Sequence, residues 1–177
     1  MTVPVTVGEG ERPEFVAKTQ GAIDKLPNWT KKFMNDAKVS VQIGGTTNKD
    51  AGQSLMFKKL IKIGDPKKNK TGFPPDYVLN HEIGHQFDLW ASNEARNGKA
   101  WAKDLVPSLH SAFEKDAALR DKSVASPYAN DYENESEAFA SAFGNILHSE
   151  EAKADYKKHF PNVTDVAEKI IHAYQNK

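Results

Sequence analysis

An α+β fold with a small mixed sheet and a mostly helical C-terminal half is what this sequence predicts, on three observations. Short alternating apolar stretches are confined to the first third of the chain, at 38–43 and 54–63. A single long amphipathic pattern follows at 75–90, and the remaining segments repeat their apolar residues at helical spacing. Strands that precede helices, rather than alternating with them, give α+β and not a doubly wound sheet. The 177 residues, 38% hydrophobic and 27% charged, suffice for a compact core, and one domain over 1–177 is expected.

In chain order, 11–25 places Phe15, Ala22 and Leu26 at the spacing of a surface helix. Leu26-Pro27-Asn28-Trp29 closes that helix and opens a short one through Met34. Val39, Val41 and Ile43 alternate with Lys38, Ser40 and Gln42, which predicts a half-buried strand ended by Gly44-Gly45. A polar loop at 45–52 leads to a second extended stretch within 54–63, where Ile61 and Ile63 alternate with Leu60 and Lys62. The Lys-, Gly- and Pro-rich 65–74 reads as a flexible lead-in to the long helix. A turn is expected at 93–98, a helix at 101–121 bent or started by Pro107, a loop at 123–134, and helices at 135–148 and 163–174.

Composition removes several classes of function. Lys+Arg and Asp+Glu are both 24, so no basic excess exists to neutralise a nucleic acid backbone or an anionic membrane. The lysines at 58, 59, 62, 67, 68 and 70 read as a solvated edge that can at most steer an acidic substrate. No apolar run reaches the roughly 20 residues that span a bilayer, and 1–10 has neither a basic start nor an apolar stretch. Zero cysteines exclude disulfides, thiolate metal sites and a cysteine nucleophile. Any metal must be held by His, Asp or Glu.

The helix at 75–90 is internally consistent. Pro74 and Pro75 suit its cap and first turn, and Asp76 suits the positive end of its dipole. Leu79, Ile83, Phe87 and Trp90 recur at i, i+4, i+8 and i+11 as a core-facing stripe. His81 and His85 project from the other side, one turn apart, with Glu82 beside the first. His-Glu-x-x-His on a well-formed helix is the pattern of a zinc site, two imidazoles sharing one ion and a carboxylate placed as general base.

Zinc in a hydrolase takes three protein ligands and leaves a position for water. A third histidine six residues after His85 is absent, since position 91 is Ala. A carboxylate from a second helix is the remaining route, and Glu133, Glu135 and Glu137 supply the candidates. If all three are helical, Phe139, Phe143 and Ile146 define an apolar face that Glu135 roughly shares. Glu137 points opposite, beside the small Ala140, Ser141 and Gly144, and is favoured; Glu133 shares its face as the alternative. His148 lies about 16 Å further along, too far to bind the same ion.

Three motifs together resemble the anthrax lethal factor-like zinc peptidases, a gluzincin family that includes the Pro-Pro endopeptidases. They are His81-Glu82-Ile83-Gly84-His85-Gln86-Phe87-Asp88, Ser126-Pro127-Tyr128-Ala129, and Glu137-Ala138-Phe139-Ala140-Ser141-Ala142-Phe143. The resemblance implies a zincin-like domain with His81, His85 and Glu137 on zinc, Glu82 as general base and Tyr128 assisting catalysis. It further implies a zinc-dependent endopeptidase acting on a peptide or protein substrate, secreted or released, and a monomer is expected. Two departures stand out. Tyr128 precedes Glu137 by a longer spacing than is usual, which brings Tyr132 into question as its substitute, and Ser141 stands where the family usually has a second Glu. Asp88 is placed to accept an N–H from a metal-bound imidazole, and the strand at 60–63 is a candidate edge for an extended substrate. The alternative class is a zinc-binding, toxin-like or interaction module without turnover.

Overall fold

The computed structural model describes residues 2–46, 50–120 and 126–177. Its contacts cluster into two compact units, Met1–Gln86 and Phe87–Lys177. The expected loop at 45–52 lies partly outside the described residues, as do Asp121 of the expected 101–121 helix and the start of the loop at 123–134.

In the first unit, β1 (Val5–Val7), β2 (Ser40–Ile43), β3 (Gly52–Leu55) and β4 (Leu60–Ile63) form one mixed sheet in the order β1-β2-β4-β3. β2 pairs in parallel with β1 and with β4, while β3 is antiparallel to β4. Val41 sits opposite Ile61 and Ile43 opposite Ile63, all four fully buried, whereas Ser40, Gln42, Leu60 and Lys62 are only half-covered. Period-two alternation therefore gives this sheet a buried face, as the sequence requires. Helices α1 (Pro13–Lys25) and α2 (Asn28–Asp36) make the crossover that a parallel β1–β2 pair needs. They contribute Phe15, Ile23, Phe33 and Met34 to the buried set.

Two expectations are corrected here. The extended stretch expected within 54–63 is β4, and residues 54–55 ahead of it belong to a further strand, β3, joined to it through a 3₁₀ turn at Met56–Lys58 and a left-handed Lys59 (φ 51°). Strand β4 is consequently interior, paired on both sides, and the sheet edge belongs to β3. Strand β1 went unread because three residues offer too little periodicity. The lead-in at 65–74 is partly ordered, with a single helical turn α3 (Pro66–Asn69) capped by Asp65, which accepts from the Lys67 N–H.

The long helix α4 (Pro75–Arg96) continues past Trp90, and the turn expected at 93–98 is displaced to its end at Gly98, where φ is +72°. In the second unit, α5 (Ser108–Ala118) starts directly after Pro107, because 99–107 forms turns and not the expected helix from 101. α6 (Glu135–His148) matches its expected bounds, α7 (Glu150–Lys157) was not foreseen, and α8 (Pro161–Gln175) closes the chain. α6 buries every residue from Ala138 to Asn145. Phe87, near the middle of α4, lies within 6.5 Å, ring centre to ring centre, of Phe139, Phe143, Trp90, Trp101 and Tyr174. That aromatic cluster is the heart of this unit.

Candidate metal centre

Helix α4 begins with Pro75 and Asp76, residues that tolerate the first turn's unpaired amides and favour its positive end. One turn separates His81 from His85, and their Nε2 atoms approach to 3.1 Å with the rings nearly perpendicular. Two imidazoles on a tetrahedral ion, each bonded at about 2.0–2.1 Å, hold their nitrogens about 3.3–3.4 Å apart. The pair could therefore share a cation with little adjustment.

Glu82 lies between them in sequence and is buried, at 8% exposure. Its face of the helix, Val78, Glu82 and Gln86, runs along β3. Gln86 Nε2 donates to Ser54 Oγ at 2.8 Å, and a Cβ placed on Gly52 would stand 2.8 Å from Glu82 Oε1.

The acidic cluster ahead of α6 is sorted by its partners. Glu133 falls in a 3₁₀ turn (Asp131–Glu133) and not on the helix, so the shared-face argument for it fails; its carboxylate pairs with Arg120 at 3.4 Å. Glu135 pairs with His110 at 2.7 Å. That contact, with Glu114 and the Glu135 charge adding to it, raises the His110 pKa above its ordinary value. Glu137 occupies the first turn of α6, where Asn134 Oδ1 accepts from the Ser136 and Glu137 amides and fixes the helix start. Ser136 Oγ donates to Asp88 Oδ2 at 3.2 Å, so Asp88 engages α6 as well as lying one turn after His85.

His81, His85 and Glu137 each offer a ligand atom, and these atoms lie within 4.8 Å of one another, a group that could hold a metal ion. The donor set of two imidazoles and a carboxylate, without thiolate, fits zinc. His148, at the other end of α6, is not among them.

Both candidate tyrosines pack in the second unit. Tyr128 meets Tyr156 and His159 edge-on, at 4.9 and 5.1 Å between ring centres. Burial, followed by the charges of Asp155 and Asp131, raises its pKa, so the phenol keeps its proton at neutral pH. Tyr132 is tied down further. Its hydroxyl donates to the His159 carbonyl at 3.3 Å, and its ring lies between Phe160 and the Arg120 guanidinium. Gly52 and Ser54 were missed by the sequence reading; a lone glycine opening a strand is the signal of close backbone approach that would have found the first.

Compared with solved structures, the chain superimposes on the Pro-Pro endopeptidase of Paenibacillus alvei with a TM-score of 0.60 over 94% of this chain and 95% of that one. The fold is zincin-like. At 18% identity the likeness is one of architecture, and no family model and no curated protein sequence matches the chain. A zincin-like fold accounts for the small mixed sheet, the long helix bearing the two histidines and the helical second half. No helix among the described residues is long and apolar enough to cross a membrane.

Proposed function

We propose that this chain is a zinc-dependent endopeptidase of the gluzincin type, related to the lethal factor-like peptidases, with His81, His85 and Glu137 as metal ligands. The observation that carries the reading is the convergence of those three donors beside a buried Glu82. The endopeptidase fold of its structural neighbour supports it.

Bound zinc would polarise a scissile carbonyl and bring the pKa of a coordinated water to about 7. Glu82 acts as general base, taking the proton from the attacking water and passing it to the leaving amine. Its burial keeps the carboxylate largely out of bulk water. Tyr128, protonated at neutral pH, donates to the developing oxyanion. Asp88 orients the metal helix against α6 through Ser136.

An extended peptide substrate would pair with β3. Gly64 N donates to Ala51 O at 2.8 Å, which makes Gly52 and Ile63 a pair without mutual hydrogen bonds. The N–H and C=O of Gly52 therefore turn away from β4, toward the sheet edge, where a substrate backbone can accept and donate.

The deciding experiment combines metal analysis with cleavage of a mixed peptide library by wild type and Glu82→Ala. The expected result is one equivalent of zinc in both proteins and cleavage by the wild type alone. Zinc without cleavage by either protein would identify a binding module instead; absence of zinc from both would remove the metal site.

A further inference from the structure

Helix α4 and strand β3 approach each other more closely than side chains ordinarily allow. A Cβ on Gly52 would stand 2.5 Å from Val78 Cγ1, 2.8 Å from Glu82 Oε1 and 2.9 Å from Glu82 Cγ. Its φ is not in the left-handed region, so glycine is required here by space and not by backbone conformation. Two residues along, on the same face of the strand, Ser54 Oγ accepts from Gln86 Nε2 at 2.8 Å. That bond fixes the separation of helix and strand one turn beyond Glu82.

We propose that Gly52 and the Ser54–Gln86 bond form a spacer that sets the position of the Glu82 carboxylate, making Gly52 a positioning residue for the general base. The inference deepens the peptidase reading and rests on it for its kinetic consequence, but its geometric content is independent. Two side chains of α4, Val78 and Glu82, surround the missing one, and they yield unequally. The helix cannot retreat without breaking the Ser54–Gln86 bond, and Val78 is β-branched and stiff at χ1 on a helix. Glu82 is unbranched, with rotatable bonds ending in the carboxylate, so any added atom at position 52 displaces that group first. A general base moved by about 1 Å loses on the order of 10²-fold in rate.

The test is a set of variants read by kinetics, zinc content and crystallography. Gly52→Ala is expected to retain zinc, to show the Glu82 carboxylate shifted in its crystal structure, and to lower kcat about 10²-fold with little change in KM. Adding Gly52→Ala to Glu82→Ala, which removes both Glu82 atoms that meet the methyl, is expected to cost clearly less unfolding free energy, read by chemical denaturation, than Gly52→Ala costs alone. Such non-additivity is specific to a route through Glu82. If Gly52→Ala folds poorly, Val78→Ala with Gly52→Ala leaves only the Glu82 collision; the pair should lose rate while Val78→Ala alone keeps it.

An unmoved carboxylate in Gly52→Ala, or losses that simply add, overturns the proposal. If the wild type cleaves no peptide, the peptidase reading fails, and the crystallographic position of Glu82 alone decides the spacer.

Discussion

At the residue scale, the three glutamates before and within α6 illustrate how chemically identical side chains separate by their surroundings. Glu133 and Glu135 face Arg120 and His110, respectively, while Glu137 offers the carboxylate of a group, with His81 and His85, that could hold a metal ion. The two tyrosines separate by the same logic. The Tyr132 hydroxyl is engaged with a backbone carbonyl, which gives it a structural use and leaves Tyr128 as the proposed oxyanion donor. Tyr128→Phe is therefore expected to reduce kcat by about 10²–10³-fold with zinc content unchanged. Tyr132→Phe should stay within a few-fold of wild type, and steady-state kinetics on a cleaved library peptide distinguishes them. Equal losses in both variants would return Tyr132 to candidacy. The histidine pair was legible in the sequence because one helical turn fixes the geometry of i and i+4 locally. Gly52 was not, because nothing in the sequence says which helix crosses which strand.

At the element scale, the same division recurs. The bounds of α6, Glu135–His148, were readable, and Asn134 at its cap is a local signal for that start. The start of α8 is finished by a side chain from elsewhere. Pro161 supplies no N–H, and the amides of Asn162 and Val163 are bound by Asp116 of α5, at 3.1 and 2.7 Å, with Asn162 Nδ2 donating to the same carboxylate at 2.6 Å. Asp116 is fully buried, so removing it strands donors with no water to replace it. Asp116→Ala is expected to lower unfolding free energy by about 1–3 kcal/mol, measured by chemical denaturation. No destabilisation would show that water replaces the cap. Nothing local in the sequence marks Asp116 as a cap, because its partners lie 46 and 47 residues away.

At the scale of the whole molecule, acidic and basic side chains balance at neutral pH, so acid sensitivity is governed by particular pairs as well as by net charge. Arg12 donates to both oxygens of Asp65, at 2.7 and 2.9 Å, and the Asp65 side chain is wholly buried. The Arg12 guanidinium, aided by the Lys67 amide and the Lys68 charge, holds the Asp65 pKa below its ordinary value in spite of burial. A folded pKa below the unfolded value stabilises fully above the unfolded value of about 3.9 and is lost as pH falls through the folded one. Asp65→Asn should therefore melt lower than wild type at pH 7, and the gap should close as the pH drops well below about 4. A gap that persists in acid would assign the loss to packing rather than to charge. The sequence by itself determined the fold class, the metal helix and the residue types of the proposed site, because helical period, caps and a four-residue spacing are short-range properties of the chain. Only the tertiary structure decided that β3 and not β4 lies at the sheet edge and that Val78 and Glu82 leave no room for a side chain at position 52. Those depend on contacts between segments far apart in sequence, where periodicity says which face is buried but not what it meets.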